Sequence, residues 1–358
     1  MKISPFIFFL IKEGSLILWD YKAHNQFKIT NAYLEELRNI SSGGNPLNQD
    51  IFSELVENNI IVNDEDPRFS DANWEWDDLS KIFHIGTQDI PQESLTASEY
   101  SKNYLEECEK YFSKTEFVEH KKDGSCTKLP TSDFSVLNES NFLKTLRDRH
   151  TSRSFNKQSV EIEKISTLME LTFSSSKRDN KYFNSLNLAR IGERKTSPSG
   201  GALHPSKAYL YSHNIKGLDR GIYNYNTKSH GLARISSINN DLNLGAILNN
   251  QYFANDLSAG IFITSDFRKQ WWKYKHSRAY RVALLDVGFI SQTLLLTATA
   301  LGLSTWVSAA FNDTEVSKLL GIDCLSEKPI LFVGFGYGSG SPVDPETIKI
   351  LNYDKNKL

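Results

Sequence analysis

Hydrophobic positions along the chain fall into three regimes. Over residues 6 to 66 two nearly unbroken apolar runs, FIFFLI and SLILWDY, precede two stretches, NAYLEELRNI and DIFSELVENNIIV, in which apolar residues recur at helical spacing. The runs predict two short strands and the periodic stretches two amphipathic helices, the second running out into an apolar strand. From about residue 64 to 140 the periodicity fades. NDEDPRFSDANWEWDDL and EHKKDGSCTKLPTSD are polar and irregular, and only ASEYSKNYLEECEKYF between them is helical in pattern. Beyond residue 141 regularity returns: FLKTLRDRH and VEIEKISTLMELTF predict helices, while KAYLYSHNI, GIYNYN and SAGIFITSD predict strands. A long apolar helix over residues 279 to 302 follows, then STWVSAAF, a short amphipathic segment and a final apolar strand, PILFVGFGYG.

These regimes divide the chain into a small winged-helix-like module over residues 1–66, a connecting region over 67–140 and a larger domain over 141–358. In the larger part helices and strands do not alternate as βαβ units, so the expected class is α+β around one buried helix. Trp74, Trp76 and Phe83 give the connecting region more aromatic surface than a free linker carries, so it is expected to pack on the larger domain.

Composition narrows the function classes. With 39% hydrophobic and 12% aromatic residues over 358 positions, the chain can fill a core in a main domain and a smaller one. A formal net charge of −2 gives no general attraction to nucleic acid or an anionic membrane. The polar faces of LEELRNI and FSELVENN are acidic or neutral, which argues against DNA as the partner of the leading module. The stretch MKISPFIFFLIKEGSLILWDY reads as a buried strand and not a signal peptide, because Pro5 interrupts it and no small-residue cleavage site follows. VALLDVGFISQTLLLTATALGL carries Asp286 and Gln292 and reads as a core helix, not a membrane span. Cys108, Cys126 and Cys324 have no paired spacing, which fits a reduced cytoplasmic protein with neither a disulfide framework nor a metal site.

Three motifs carry candidate chemistry, and each has two readings. In RHTSRSF, residues 149 to 155, alternation lets Arg149, Thr151 and Arg153 point the same way, offering two guanidinium forks and a hydroxyl to one phosphate. The same residues would serve as a basic helix terminus opposing its own dipole. In KTSPSGGALHP, residues 195 to 205, the glycines permit a sharp bend and close approach of backbone N–H groups to a ligand, or simply a surface turn. In QWWKYKHSRAYR, residues 270 to 281, Lys273 and Tyr274 stand among Trp271, Trp272 and Tyr280. Shielding by these rings would make the pair usable for proton transfer; packing and cation–π contact is the other reading.

Taken together and in order, these motifs resemble the FMN-dependent nitroreductase superfamily, and within it the SagB-type dehydrogenases that oxidise azolines in ribosomal peptide biosynthesis. The resemblance runs through LPTSDFSVLNESNFLKTLRDRHTSRSF, SPSGGALHPSKAYLYSHNI, GIYNYNTKSHGL, KYKHSRAYRVALLDVGFISQTLLLTATALGLSTWV and the final PILFVGFGYG, and EWDDLSKIFHIGT is similar to the lead-in segment of that family. It implies an FMN site. Arg149, His150, Thr151 and Arg153 match phosphate- and ring-contacting positions, while Pro198, Ser199, Gly200 and Gly201 would lie against the isoalloxazine. Ser308, Ala309 and Ala310 fall where many relatives carry glycines beside the flavin, and Lys349 is a candidate for the late basic phosphate partner.

The resemblance also implies a functional Lys-Tyr pair, matched by Lys273 and Tyr274, that removes the Cα proton of a thiazoline or oxazoline while a hydride passes to the flavin, with oxygen as the expected final acceptor. It implies an intertwined homodimer with the 279–302 helix at its core, a cyclodehydratase partner, and a leading module that binds a precursor peptide by strand addition. Three alternatives stay open: an NAD(P)H-driven reductase of nitro compounds, quinones or activated alkenes; an oxidase of carrier-bound thiazolines; and a flavin-free scaffold of a peptide-modifying complex.

Overall fold

The computed structural model describes residues 1–69, 78–87, 106–107, 110, 126–139, 141–175, 194–238, 241–323 and 326–349. Trp74, Trp76, Cys108, Cys324 and most of the helical pattern at 97–112 lie outside the described residues. The chain divides into two compact units, Met1–Asn103 with His276–Arg278, and Tyr104–Lys275 with Ala279–Leu358.

In the first unit β1 (Lys2–Ile3), β2 (Ile7–Lys12), β3 (Ser15–Asp20) and β4 (Asn25–Ile29) precede α1 (Asn31–Ser41), α2 (Gln49–Glu57) and β5 (Ile61–Val62). Strands β2, β3 and β4 form an antiparallel sheet in that order, and β1 pairs with β5. The sequence pattern predicts only a strand pair here. Strand β4, NQFKI, has just two apolar residues and buries only Ile29, too little to register as a run. Leu18, Leu37, Leu55, Ile60 and Ile61 close the core. Glu36 is buried on α1, and its carboxylate accepts the N–H groups of Leu47 and Asn48 at 3.0–3.1 Å. That bond fixes the loop into α2, where the Asn48 side chain caps the helix by accepting from Asp50 and Ile51. The helix α3 (Asp78–Gly86) also belongs to this unit.

The second unit is built on seven antiparallel strands. Its elements in chain order are β6 (Cys126–Lys128), α4 (Phe142–Asp148), β7 (Val160–Glu161), α5 (Ile162–Phe173), β8 (Ser206–Ser212), β9 (Ile215–Lys216), β10 (Gly221–Asn226), β11 (Gly231–Ser237), β12 (Ala259–Asp266), α6 (Arg268–Trp271), α7 (Ala279–Ala300), β13 (Ser304–Ser308), α8 (Asp313–Leu320) and β14 (Glu327–Gly336). The sheet order is β13-β14-β12-β8-β10-β11-β6. The layout is α+β, as the sequence pattern predicts.

Both sheet faces are covered. Ala208, Leu210, Ile261, Ile263 and Val333 pack with α5 and α7, while Tyr209, Tyr211, Phe262 and Phe332 face Leu244, Val316 and Leu320 on the other side. All eight residues of β12 are buried, which is why its start, AGIFI, reads as an apolar run without alternation, while Thr264, Ser265 and Asp266 at its end are buried polar residues.

Helix α7 departs from the expectation of a buried core helix. Ala283, Val287, Ile290 and Leu294 lie against the sheet, but Leu284, Leu285 and Phe289 are exposed. A helix apolar all round gives no periodic signal to separate its two sides.

At the end of β12 a polar cluster is sealed into the sheet. Glu327 accepts from Lys207 at 2.6 Å, Tyr209 at 2.9 Å and Thr264 at 2.7 Å, and Asp266 pairs with Lys207 at 2.9 Å and Arg268 at 2.7 Å. Burial alone would raise the Asp266 pKa, but Arg268 and Lys207 outweigh it and hold the carboxyl below its usual range. A carboxyl depressed in the folded state adds stability above its unfolded pKa, so this contribution is full at neutral pH and is expected to fade as acid titration passes below about pH 4. Glu327→Ala is expected to cost about 3 kcal/mol by leaving Lys207 under-paired. Urea denaturation at neutral pH measures the loss, and an unchanged midpoint would contradict it.

Candidate active site

The 149–155 segment is an extended stretch joined to the sheet by two isolated bridges. Asn141 caps α4 by accepting from the Lys144 N–H, and the helix stops at Arg149, whose backbone is extended at φ −63° and ψ 109°. The chain then runs beside β13: Thr151 bridges Thr305, and the Ser152 N–H donates to the Thr305 carbonyl at 2.8 Å. On its other side the Arg153 N–H donates to Ser341 at 2.7 Å and Phe155 bridges Gly338. Ser152 is buried, and half-buried Arg149, Thr151 and Arg153 alternate with it along the segment. Exposed His150 is held through Nδ1, 2.6 Å from the Asp148 carbonyl, while Arg153 Nη1 donates to Pro342 at 2.6 Å. Arg147 and Arg149 also stand at the C-terminal end of α4, so the dipole-compensating geometry is present as well.

The glycine bend is held by one helix. Ser197 Oγ lies 2.7 Å from Thr293 Oγ1, the Ser199 hydroxyl donates to Asp286 at 2.6 Å, and the Gly200 N–H donates to the same carboxylate at 3.0 Å. Ser199 Oγ in turn accepts the His204 N–H at 3.0 Å. Within the bend Gly201, Ala202 and His204 all have positive φ, at 61°, 56° and 46°. For the two non-glycine residues that region costs roughly 1–2 kcal/mol each, which the surrounding bonds must offset. Burial pushes the Asp286 carboxyl above the ordinary carboxylate range, opposed by the bonds from Ser199 and Gly200.

Lys273 and Tyr274 meet this bend. Their N–H groups donate to the Gln270 carbonyl, extending α6 by a turn, and α6 itself is anchored through Arg268 to Asp266. A Cβ built on Gly201 would lie 2.6 Å from Lys273 Nζ and 2.8 Å from the Tyr274 hydroxyl. Both functional groups therefore border the same exposed glycine. Lys273 Nζ is 5.7 Å from the Tyr274 ring centre. Trp271 does not shield the pair as the sequence suggests: on the last turn of α6 it is 52% exposed, and the nearby ring contact is Phe267 stacked on Tyr280 at 5.1 Å.

Ser308 ends β13, and exposed Ala309 and Ala310 follow it. Gln251 pins this corner, donating to Ser308 Oγ at 3.0 Å and the Ala310 carbonyl at 3.2 Å. Lys349 pairs with Glu346 at 2.9 Å on an exposed turn.

Two clusters result. Segment 149–153 and residues 308–310 share β13; the bend at 198–201 shares a surface with Lys273 and Tyr274. Helix α7 packs against both α4 and the 200–202 turn. Val282 and Asp286 meet the turn, whereas Thr299 lies beside Arg147 and His150, roughly 20 Å further along the helix at 1.5 Å per residue. Asp286, Gln251 and Thr305 were not candidates from sequence. Only Asp286 leaves a trace there, as an acid inside an apolar run.

The residues fit a flavin. Two half-buried arginines and a threonine stand on one extended segment, and the bend presents exposed Gly201, bare of a side chain, beside Lys273 Nζ and the Tyr274 hydroxyl. Among the described residues no group of three His, Cys, Asp or Glu side chains is placed to hold a metal.

The profile of the Nitroreductase family matches residues 146–337, more than half of the chain, and the chain belongs to that family. Its relatives are more particular. A protein named as a nitroreductase, MJ1384 of Methanocaldococcus jannaschii, is 31% identical over 144 residues, 40% of this chain and 70% of that protein. The trifolitoxin-processing protein TfxB of Rhizobium leguminosarum bv. trifolii is 29% identical over 166 residues, 44% of this chain and 43% of the relative. The microcin B17-processing protein McbC of Escherichia coli is 29% identical over 158 residues, 40% of this chain and 54% of the relative. The chain thus spans about half the length of the two processing proteins. A crystal structure described as a nitroreductase from Anabaena variabilis shares the fold, with TM-score 0.50 and 23% identity over 61% of this chain and 42% of its own.

Gly201→Ala is expected to lose about 1–2 kcal/mol from its left-handed backbone alone and to displace Lys273 and Tyr274. Thermal unfolding checks the first, and a wild-type melting curve would show that the bend is not fixed there.

Proposed function

We propose that the protein is an FMN-dependent dehydrogenase that converts thiazoline or oxazoline rings in a ribosomally made precursor peptide to thiazoles or oxazoles. The observation that carries this reading is the meeting of Lys273 Nζ and the Tyr274 hydroxyl at Gly201. The processing roles named for TfxB and McbC support it.

In this reading Arg149, His150, Thr151 and Arg153 hold the phosphate end of FMN, and Pro198 to Gly201, with Ser308 to Ala310, border its ring. Bound FMN supplies the hydride acceptor at N5. The Lys273–Tyr274 pair orients the azoline and takes the proton from its Cα, which the adjoining C=N acidifies. Each ring loses one proton and one hydride and becomes aromatic.

Two further assignments belong to the same reading. The α7 stripe of Leu284, Leu285 and Phe289, with Phe142, Leu143 and Leu146 exposed on the neighbouring α4, is an apolar face suited to a second copy of the chain. A homodimer would also bring the two clusters of different copies together. In the first unit β2 is an edge strand with Phe9, Leu10 and Ile11 exposed, suited to receive an extended precursor peptide by strand addition. The azoline itself requires a prior cyclodehydration, so a cyclodehydratase is the expected partner, in the cytoplasm.

The 31% identity to a protein named as a nitroreductase favours a second reading, a reductase driven by NAD(P)H. Steady NADH consumption with a nitroaromatic, without change to an azoline peptide, would select it. A purified protein without visible flavin bands would leave only a scaffold role.

Mass spectrometry of an azoline peptide after incubation with the enzyme is expected to show two hydrogens lost per ring. Lys273→Ala and Tyr274→Phe should abolish that loss while FMN stays bound; full activity in both removes them from the chemistry. Arg149→Ala should weaken FMN retention about tenfold or more, as for a charge-assisted contact of about 1.5–3 kcal/mol, and unchanged flavin occupancy would place Arg149 elsewhere.

A further inference from the structure

We propose that Asp286 is the positioning residue of the glycine bend, and that its carboxylate sets the geometry in which Gly201 meets both its ligand and the Lys273–Tyr274 pair. The inference deepens the flavin reading above and rests on it for the ligand.

Asp286 is 1% exposed on the sheet-facing side of α7, between Ala283 and Ile290, and the bonds recorded for its side chain both go to the bend. One oxygen accepts the Ser199 hydroxyl and the other the Gly200 N–H. Because Ser199 Oγ donates to Asp286, its lone pair is turned towards the His204 N–H, which it accepts. A single carboxylate thus orients the entry to the bend directly and its exit through a hydroxyl relay. Between these points lie the three residues with positive φ. Such backbone persists only where its surroundings over-determine it.

The consequence for the site is specific. Gly200 is pressed onto α7, where an added Cβ would lie 2.2 Å from Val282 Cγ1, and this close seat turns Gly201 outward against Lys273 and Tyr274. Without the carboxylate the bend keeps Ser197 bonded to Thr293 upstream, its own Ala202–Ser199 and Leu203–Gly200 backbone bonds, and Lys269 on the His204 carbonyl, but it loses the bonds that seat Ser199 and Gly200 on α7. Asp286 is bonded to Ser199 and Gly200, so its effect on Gly201 passes through the backbone.

The test uses the full-length chain as wild type, D286A, D286N and S199A. Deuterium exchange of peptides covering residues 196–204 reads whether the bend is held, and FMN titration followed by flavin fluorescence reads what the bend does for the ligand. In D286A the bend is expected to exchange about tenfold faster, with exchange elsewhere in residues 141–323 unchanged and the FMN dissociation constant raised about tenfold. D286N should lie between, since its amide oxygen still accepts from Gly200, and S199A should free the His204 end alone. Wild-type exchange in both D286A and D286N overturns the inference, and so does faster exchange with unchanged FMN affinity, which leaves Asp286 as a tether only. If D286A does not fold, D286N and S199A decide on the same terms. A wild-type protein that binds no FMN sinks the flavin reading instead, and the exchange comparison then decides the role of Asp286 in holding the bend.

Discussion

Asp286 lies among Ala283, Val287 and Ile290 on the side of α7 that packs on the sheet, where a carboxylate is tolerated only if its oxygens are bonded. Among the described residues its donors are a hydroxyl and an amide from the same bend. The dependence is mutual: the acid needs the bend to be buried at all, and the bend needs the acid to hold three residues at positive φ. The Gly201 side of its meeting point with Lys273 and Tyr274 follows from that pair of bonds, because a shift in Gly200 would carry Gly201 with it.

The opposite wall of the site is fixed by a different device. Lys273 and Tyr274 sit just beyond a one-turn helix, too short to hold itself in water. Its first residue, Arg268, is bonded to Asp266 at the end of a fully buried strand, and Asp266 shares Lys207 with Glu327. Two buried acids are matched by two bases, and the remaining Glu327 lone pairs are taken by Tyr209 and Thr264. Such a cluster adds little net stability over an apolar core, but it has one arrangement, and that suits a segment whose task is to place two side chains. Bend and base pair are thus held from two directions, by α7 and by the sheet.

How much of this was legible in the sequence depends on whether the cause was local. Strand β12 announces itself through its apolar start, AGIFI, and helix α7 through its length and its richness in Leu, Val, Ile and Ala. The bend was legible through Pro198, Gly200 and Gly201, whereas Lys273 and Tyr274 stood out through the family resemblance and not through their aromatic setting. The cause of the bend was not legible, since Asp286 lies 87 residues from Ser199 and its role exists only after folding. The alternation in RHTSRSF suggested an extended segment, but what it pairs with was hidden for the same reason: Thr305 and Ser341 are distant in sequence. The exposed stripe of α7 is invisible to periodicity because both sides of the helix are apolar, and Trp271 was misjudged because adjacent aromatics on a short helix need not face the same way.

The family match has a sharp consequence for what can distinguish substrates. Residues 146–337 contain every candidate site residue except Lys349, from Arg149 through Gly201 and Tyr274 to Ala310. The family match covers the sheet from β8 to β14 and the long helix α7, and a protein named as a nitroreductase is 31% identical over 144 residues. The match does not account for the first unit, whose residues from Met1 to Asn103 lie wholly before the matched span. A reductase of small diffusible molecules needs only the second unit. An enzyme that must find several rings along one peptide gains from a second attachment point, because tethering raises the effective concentration of each ring at the site. On the reading proposed here the chemistry resides at Gly201, Lys273 and Tyr274, and the choice of substrate resides in a unit that holds no part of it.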